Sequence, residues 1–158
     1  YRFAKMRGYP AFFVGAKAEQ DYLSVTHAGR ASRTRVSDVS LRESRPITVP
    51  LKGKMIGAMS ANADDEILIA TRSGYAKRVS VGSIPTLTEM NTNGTKITQR
   101  GNPIYAKLFD PLKPLFALTN QRIVEIEPSY IPILDAHKTD HKLFNMKKSE
   151  ALITLFDL

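Results

Sequence analysis

A hairpin-like segment recurs along this sequence at a nearly constant spacing. The clearest copy, Glu66 to Pro85, reads as an apolar strand, a polar turn, a second strand with adjacent cations and a proline exit. A segment from Asp21 to Ser40 aligns with it without a gap at an offset of 45 residues, and a third, Leu115 to Pro132, follows 48 residues after the second. A period of this size predicts a repeat architecture.

Strand patterns dominate each repeat, and no long helix is required. Residues 22–25 alternate at period two, and residues 67–70 form a continuous apolar run that is typical of a strand buried on both faces. Each repeat has about four short strands and cannot bury its faces without neighbours. The sequence therefore predicts an all-β array of about three four-stranded blades. We expect one domain over residues 1–158, with modules at about 8–54, 55–102 and 103–150 and a closing strand at 151–158.

The charge is unevenly placed along the chain, which carries a formal net charge of +8. Up to Asp110 there are 17 Lys or Arg against 9 Asp or Glu, and from Pro111 onward there are 6 against 6. The positive excess therefore lies in the first two repeats. It favours a polyanionic partner, such as nucleic acid or an anionic membrane surface, over the alternative of a basic protein whose charge only maintains solubility.

Several classes of site are disfavoured by the residues present. There is no cysteine, which excludes disulfides and thiolate metal sites. A phosphate-binding loop, a dinucleotide fingerprint and a nucleophile turn are missing from the sequence, so we expect no cofactor and no catalytic centre. His137 and His141, near Asp135 and Asp140, are better interpreted as a polar loop than as a metal site. No apolar run of transmembrane length occurs, and the start at Tyr1 suggests a piece of a longer polypeptide.

The middle repeat carries the most specific motif of the chain. Residues 68–78 read LIATRSGYAKR and are followed by Ile84-Pro85, while residues 25–33 are a looser copy and residues 93–97 read NGTKI. This pattern resembles the C-terminal domain of bacterial type IIA topoisomerase A subunits, the DNA gyrase A and topoisomerase IV ParC proteins. The resemblance implies a β-pinwheel whose blades exchange a strand with a neighbour and whose basic rim bends DNA. It also places the catalytic tyrosine and the ATPase outside this chain.

Two departures refine what the resemblance implies. Gyrase carries a basic, glycine-rich box of which only Gln99-Arg100-Gly101 is present here, so the likeness leans toward topoisomerase IV. Three repeats are also fewer than a closed disc needs, which favours an open arc or partial disc. By this resemblance the chain would bind and bend duplex DNA without catalysis and present a segment for strand passage. Its partners would be duplex DNA, the rest of the A subunit and the ATPase subunit, in the bacterial cytoplasm, associated with the nucleoid, and without a membrane.

The candidate DNA-binding residues are the cations of the first two repeats and of the stretch that follows them. Equivalent cations in two stacked repeats would line one rim and match phosphates along a bent duplex. The alternative is that they are solvated residues that protect sheet edges from aggregation. The candidates are Arg30, Arg33, Arg35, Arg72, Lys77, Arg78, Lys96 and Arg100.

The third repeat lacks these cations. At a constant offset of 48 residues, Glu125, Ile126 and Glu127 take the places of Lys77, Arg78 and Val79, and Asn120 takes the place of Arg72. We therefore expect DNA to contact the first two repeats and not the third. The alternative for the whole chain is a propeller-like interaction scaffold for an acidic protein.

Overall fold

The computed structural model of the protein describes residue 12 and residues 14–38, 53–87 and 93–158. Within these ranges the chain is all-β, as predicted. Its strands are β1 (Asp21–Thr26), β2 (Arg30–Arg35), β3 (Met55–Ala61), β4 (Glu66–Thr71), β5 (Tyr75–Ser80), β6 (Thr95–Lys96), β7 (Pro103–Leu108), β8 (Leu115–Thr119), β9 (Ile123–Ile126), β10 (His141–Lys142) and β11 (Leu152–Asp157). Three single-turn 3-10 segments span Val36–Asp38, Val81–Ser83 and Pro128–Tyr130. No helix in the described ranges is long and apolar enough to cross a membrane.

The strands form three separate antiparallel sheets. Sheet 1 has the order β3-β1-β2-β6, sheet 2 the order β7-β4-β5-β10, and sheet 3 the order β11-β8-β9. The first strand of each order is the inner one, because β7 packs against both β3 and β11. The last strand of each order is the outer one. This is an open array of blades, and it confirms the β-pinwheel class.

Each of the first two sheets receives its outer strand from the repeat that follows it. Strand β6 comes after the hairpin of sheet 2 but pairs with β2 of sheet 1, and β10 comes after the hairpin of sheet 3 but pairs with β5 of sheet 2. The sheets therefore cut across the modules drawn from the sequence period. Strand exchange between neighbouring blades, which the resemblance implied, is present.

A threonine closes the central hairpin of every sheet. The hydroxyl of Thr26 donates to the carbonyl of Arg30 at 3.4 Å, that of Thr71 to Tyr75 at 3.3 Å, and that of Thr119 to Arg122 at 3.0 Å. In the first two hairpins the turn ends on Gly29 and Gly74, with φ of 74° and 79°. A side chain at such φ values is strained, which explains the glycine in both turns.

The inner strands share a bulge and a close contact. In each sheet the register between the inner strand and its neighbour shifts by one residue, at Ile56, Ile104 and Ile153. Near the first bulge, a β-carbon at Gly57 would lie 2.5 Å from the carbonyl oxygen of Ala106. Glycine at this position therefore allows β3 and β7 to approach each other.

The core consists of two layers on either side of sheet 2. Ile67 and Ile69 of β4 face the layer shared with sheet 1, whereas Leu68 and Ala70 face the layer shared with sheet 3. All four side chains are at most 2% exposed. The prediction that this apolar run is buried on both faces is therefore confirmed, and β4 is the strand that joins the two layers.

The last outer strand lies elsewhere than the sequence pattern predicts. Aligning residues 143–146 with the strand expected at residues 95–98 predicts the last outer strand two residues too late, since it lies at His141–Lys142 and pairs with β5. Three predicted features lie wholly or partly outside the described residues: the start of the first module, the loop that the prolines between Ser40 and Lys54 predict, and the polar excursion from Thr86 to Asn102.

Candidate nucleic-acid interface

Arg30 and Lys96 form an exposed pair at the outer edge of sheet 1. They lie opposite each other in the register of β2 and β6. Arg30 Nη1 donates to the Gly94 carbonyl at 3.0 Å, and Lys96 Nζ donates to the Ala28 carbonyl at 2.7 Å. These bonds orient the two side chains, and both residues remain exposed. The structure thus brings together two of the predicted residues in a position suited to phosphate contact.

Lys142 occupies the place in sheet 2 that Lys96 occupies in sheet 1. Leu143 donates its backbone N–H to Gly74 at 2.9 Å, and Ile97 makes the corresponding bond in sheet 1 at 2.8 Å. Lys142 is exposed at the outer edge. The sequence reasoning missed this residue, although its separation of 46 residues from Lys96 matches the repeat and could have found it.

Arg72 and Arg100 lie near the same end of sheet 2. Arg72 is exposed in the hairpin turn. The guanidinium of Arg100 lies 5.0 Å from the centre of the Tyr75 ring, and its Nη1 lies 3.4 Å from the Tyr75 hydroxyl. Because Tyr75 stands opposite Lys142 in the register, three exposed cations gather around this corner of sheet 2.

Arg35 is exposed but stands apart from these residues. It is the last residue of β2, opposite Asp21, whereas Arg30 is the first residue of the same strand. The exposed cations of sheet 1 therefore lie at both ends of β2 and do not form one continuous cluster.

Arg33 ties sheet 1 to the following repeat. Its Nε bonds to the carboxylate of Asp21 at 2.7 Å, and its Nη1 donates to the carbonyls of Val81 at 3.1 Å and Ile84 at 3.0 Å. Only 12% of the side chain is exposed. The guanidinium is thus occupied by structural partners, and its planar fork suits a bridge between a carboxylate and carbonyls.

Arg78 does the same between sheet 2 and the third repeat. Its Nε donates to the Ile131 carbonyl at 2.7 Å, and its Nη1 lies 3.2 Å from the carboxylate of Glu66. Glu66 is equivalent to Asp21 of sheet 1 at the offset of 45 residues. The recurrence of Arg33 and Arg78, which the sequence suggested as a basic rim, is therefore explained by a repeated inter-blade lock.

Lys77 is a buried structural residue. The residue is 0% exposed, and its Nζ donates to the carbonyls of Ala136 at 3.0 Å and Lys138 at 2.7 Å. The same Nζ lies 3.2 Å from Asp140 Oδ1. Because two backbone carbonyls and the Asp140 carboxylate surround its ammonium group, Lys77 does not offer its charge to a ligand in this fold.

The hairpin of sheet 3 is one residue shorter than the other two. In sheet 3, Leu118 pairs with Ile123, which is five residues later in the chain. In sheet 2 the equivalent residue, Ala70, pairs with Ala76, which is six residues later. Constant spacing was therefore the wrong alignment for the second strand. Val124 takes the place of Lys77, Glu125 that of Arg78 and Ile126 that of Val79. The acidic side chain thus stands at the position of the inter-blade lock.

The histidine and aspartate residues that follow the hairpin of sheet 3, at positions 135 to 141, do not form a metal site. Asp140 is 6% exposed, and its Oδ2 accepts the backbone N–H groups of Gln99 at 2.9 Å and Arg100 at 2.7 Å, while its Oδ1 faces Lys77. This carboxylate holds the Gln99-Arg100 segment against sheet 2. Within the described residues no three His, Cys, Asp or Glu side chains are grouped to hold a metal ion.

Glu150 is a carboxylate that binds a neighbouring segment to sheet 3, as Asp140 does at sheet 2. Its carboxylate accepts bonds from Arg122 Nε at 2.9 Å, from the Thr119 hydroxyl at 2.8 Å and from the backbone N–H of Lys147 at 2.7 Å. The Arg122 hydrogen bond, followed by that of Lys147, lowers the pKa of Glu150 to about 2. Arg122 is therefore also a structural cation.

Both the sequence and the fold of this chain are similar to those of known proteins. Residues 20–42 and 65–97 match the family model described as DNA gyrase C-terminal domain, beta-propeller. The fold superposes on the C-terminal domain of DNA topoisomerase IV with a TM-score of 0.74 at 15% identity. The resemblance to the DNA gyrase C-terminal domain family is therefore confirmed over these two segments. A search of curated proteins gives no match.

Other solved members of this fold give the same result. The E. coli ParC C-terminal domain has a TM-score of 0.62 at 15% identity, and the DNA gyrase A C-terminal domain has 0.57 at 11%. The three superpositions include 89%, 90% and 90% of this chain. They include only 46% of the topoisomerase IV domain, 63% of the ParC domain and 67% of the gyrase A domain. The chain therefore shares the fold of these C-terminal domains. The matched segments contain the hairpins of sheets 1 and 2 but not sheet 3.

Proposed function

We propose that this domain binds duplex DNA along the outer strands of sheets 1 and 2 and bends it, without catalysis. The observation that carries the proposal is the equivalence of Lys96 and Lys142 on the two exchanged outer strands. One exposed lysine per blade, repeated by the fold itself, suits the regular spacing of phosphates along a curved backbone.

The contact surface differs from the set first suggested by the sequence. The residues that we assign to it are exposed in the structure, whereas Arg33, Lys77 and Arg78 are bound to protein oxygens. The proposed DNA contacts are Arg30, Arg35, Arg72, Lys96, Arg100 and Lys142. Such contacts read the phosphate backbone and not the base edges, so binding should tolerate many sequences.

Within its family, we propose a topoisomerase IV-like role for the domain more than a gyrase-like one. The gyrase box is represented only by Gln99-Arg100-Gly101, and Asp140 binds the backbone of its first two residues. The domain would present a DNA segment for strand passage to the rest of an A subunit and its ATPase subunit, in the bacterial cytoplasm. Ligation of a nicked circular DNA while the protein is bound tests this assignment. A small change in linking number is expected, and a large one of constant sign would indicate gyrase-like wrapping.

The DNA-cleaving tyrosine is placed outside this chain in the same proposal. Burial, with the nearby charge of Asp157, raises the pKa of Tyr105 to about 12, and burial also raises the pKa of Tyr22. A nucleophilic phenol needs the opposite shift. These two tyrosines are packing residues of their sheets.

The salt dependence of binding to a labelled duplex tests the main proposal. Each phosphate contact contributes about 0.9 to the slope of log K against log salt, so Lys96→Gln with Lys142→Gln should lower the slope by about 2. The matched control is Lys107→Gln with Lys113→Gln, which removes two exposed charges away from the outer strands, Lys107 on the inner strand β7 and Lys113 beside Asp157 of β11. An equal loss in both variants, or no binding at low salt, would contradict the proposal.

The second candidate function is an interaction scaffold for an acidic protein, supported by the same exposed cations. A labelled acidic peptide measured beside the duplex separates the two functions. Tight peptide binding that Lys96→Gln with Lys142→Gln weakens, without DNA binding, would favour the scaffold. Bending is read separately from the end-to-end energy transfer of a doubly labelled duplex, which should rise on binding.

A further inference from the structure

Residues 145–152, the crossing segment, run over the hairpin turns of sheets 2 and 3. A β-carbon placed on Gly74, in the turn of sheet 2, would lie 2.9 Å from the sulfur of Met146. At the other end of the segment, Leu152 donates its backbone N–H to the carbonyl of Arg72 at 2.9 Å. The crossing segment therefore lies beside the corner of sheet 2 at which three exposed cations gather.

The turn of sheet 3 fixes the backbone of the crossing segment from below. Gln121 Nε2 donates to the Lys148 carbonyl at 3.1 Å, and Arg122 Nη2 donates to the Asn145 carbonyl at 3.0 Å. The side chains of Lys147 and Lys148 are exposed. Two adjacent cations are thus presented to solvent on a backbone that the turn holds in place.

A carboxylate binds the backbone of an exposed cation in both sheets. Glu150 Oε2 accepts the backbone N–H of Lys147 at 2.7 Å, and Glu150 Oε1 accepts a bond from Arg122 Nε at 2.9 Å. Asp140 accepts the backbone N–H of Arg100 in the same way in sheet 2, at 2.7 Å. Because Arg122 compensates the charge of Glu150, the ammonium group of Lys147 remains available to an external anion. Lys147 therefore corresponds in its support to Arg100, a proposed DNA contact.

The two exposed glutamates of β9 and its end do not cancel the charge of Lys147 and Lys148. Counted from the turn, Glu125 and Glu127 lie two and four residues beyond Ile123, which is about 7 and 13 Å at a rise of about 3.3 Å per residue. The Debye length at physiological ionic strength is about 8 Å, so the more distant charge is largely screened. One nearer glutamate opposes two lysines, and the turn end of sheet 3 keeps a positive excess.

We propose that Lys147 and Lys148 bind the phosphate backbone of duplex DNA and extend the contact surface to the turn of sheet 3. This inference rests on the proposed function, in which the duplex contacts the outer strands of sheets 1 and 2. The duplex would pass from Lys142 onto the crossing segment, because Met146 packs on the same turn that β10 adjoins. The contact replaces the expectation that DNA does not reach the third repeat, and it leaves the far end of β9, with Glu127, outside the surface.

The salt dependence of binding to a labelled duplex tests the inference. Lys147→Gln with Lys148→Gln should lower the slope of log K against log salt by about 2, since each phosphate contact contributes about 0.9. Both side chains are exposed, so folding should be retained. The control, Lys107→Gln with Lys113→Gln, should leave the slope unchanged. An unchanged slope in the Lys147 and Lys148 variant, or an equal fall in the control, would overturn the inference.

The variant Lys96→Gln with Lys142→Gln distinguishes failure of this inference from failure of the proposed function. If that variant lowers the slope and the Lys147 and Lys148 variant does not, DNA lies on the outer strands and only the inference is overturned. If the unaltered chain does not bind the duplex at low salt, both are overturned.

A crosslink locates the contact directly, because the chain has no cysteine and an introduced thiol is unique. Lys148→Cys should react by thiol-disulfide exchange with a duplex that carries an activated disulfide tethered to its backbone phosphates. Lys113→Cys, at another exposed lysine, is the matched control and should give little crosslink. Equal yields from the two variants, or no crosslink from Lys148→Cys, would overturn the inference.

Discussion

Lys77 Nζ lies 3.2 Å from Asp140 Oδ1, and the two side chains are 1% and 2% exposed. Lys77 belongs to β5 of sheet 2, whereas Asp140 follows the hairpin of sheet 3. The pair therefore ties an exchanged segment to the sheet that receives it. Asp140 also accepts the backbone N–H of Arg100 at 2.7 Å, so the buried pair supports part of the proposed DNA surface.

Replacing Lys77 by Met should destabilise the fold, although it removes no proposed DNA contact. The substitution leaves the Asp140 carboxylate buried without its cation, which typically costs about 3 kcal/mol or more. Urea unfolding measures the change, and Asp140→Asn in the same chain should recover part of it. Weakened DNA binding by a Lys77→Met protein of unchanged stability would show that the amine contacts DNA after all.

Replacing Arg78 by Lys tests the inter-blade lock while it keeps the charge. Arg78 bonds to the Ile131 carbonyl and the Glu66 carboxylate with two nitrogens of its guanidinium group, and the single amine of lysine cannot replace both. We therefore expect a loss of about 1–2 kcal/mol in the free energy of unfolding. Arg35→Lys is the matched control, because Arg35 is exposed. The DNA salt slope should be the same in both variants. A stable Arg78→Lys protein with a reduced slope would return Arg78 to the DNA surface.

A methyl group at Gly57 should separate the inner strands of sheets 1 and 2. The added β-carbon would meet the Ala106 carbonyl oxygen at 2.5 Å, and overpacking of this kind costs about 1–3 kcal/mol. Gly15→Ala is the control, since nothing lies within 4 Å of a β-carbon there. Equal melting temperatures for the two variants would mean that β3 and β7 are not in close contact.

Much of the fold could be predicted from the sequence, because its signals are local. The threonine of each turn, the glycine of the first two turns and the apolar run of β4 specify hairpins through short-range rules of backbone conformation and burial. Strand exchange could not be read in the same way. The pairing of His141–Lys142 with β5 joins residues more than 60 positions apart, and two-residue strands carry almost no periodicity.

The candidate site was harder to predict because a basic side chain looks the same in sequence whether it is buried or exposed. Arg33 and Arg78 formed the most regular cationic pattern, and the structure shows that both of them, like Lys77, bind protein oxygens. Their regularity reflects the repeated contact between blades. Lys142 escaped notice because it lies 46 residues after Lys96, whereas the hairpins of sheets 2 and 3 were aligned at an offset of 48.

Glu150 should make the stability of the protein depend on pH in the acidic range. Its hydrogen bonds to Arg122 and to the Lys147 backbone lower its pKa from 4.5 to about 2 in the folded protein. A carboxylate with a depressed pKa stabilises the fold fully above its unfolded-state pKa, and this contribution is lost as the pH falls through the folded-state value. The stability difference between the wild-type protein and Glu150→Gln should therefore be largest above about pH 4.5 and shrink toward pH 2. Urea unfolding across this range measures it, and Arg122→Gln should flatten the profile in the same way. A difference that stays constant from pH 6 to pH 2 would mean that the stabilisation by Glu150 does not depend on its charge.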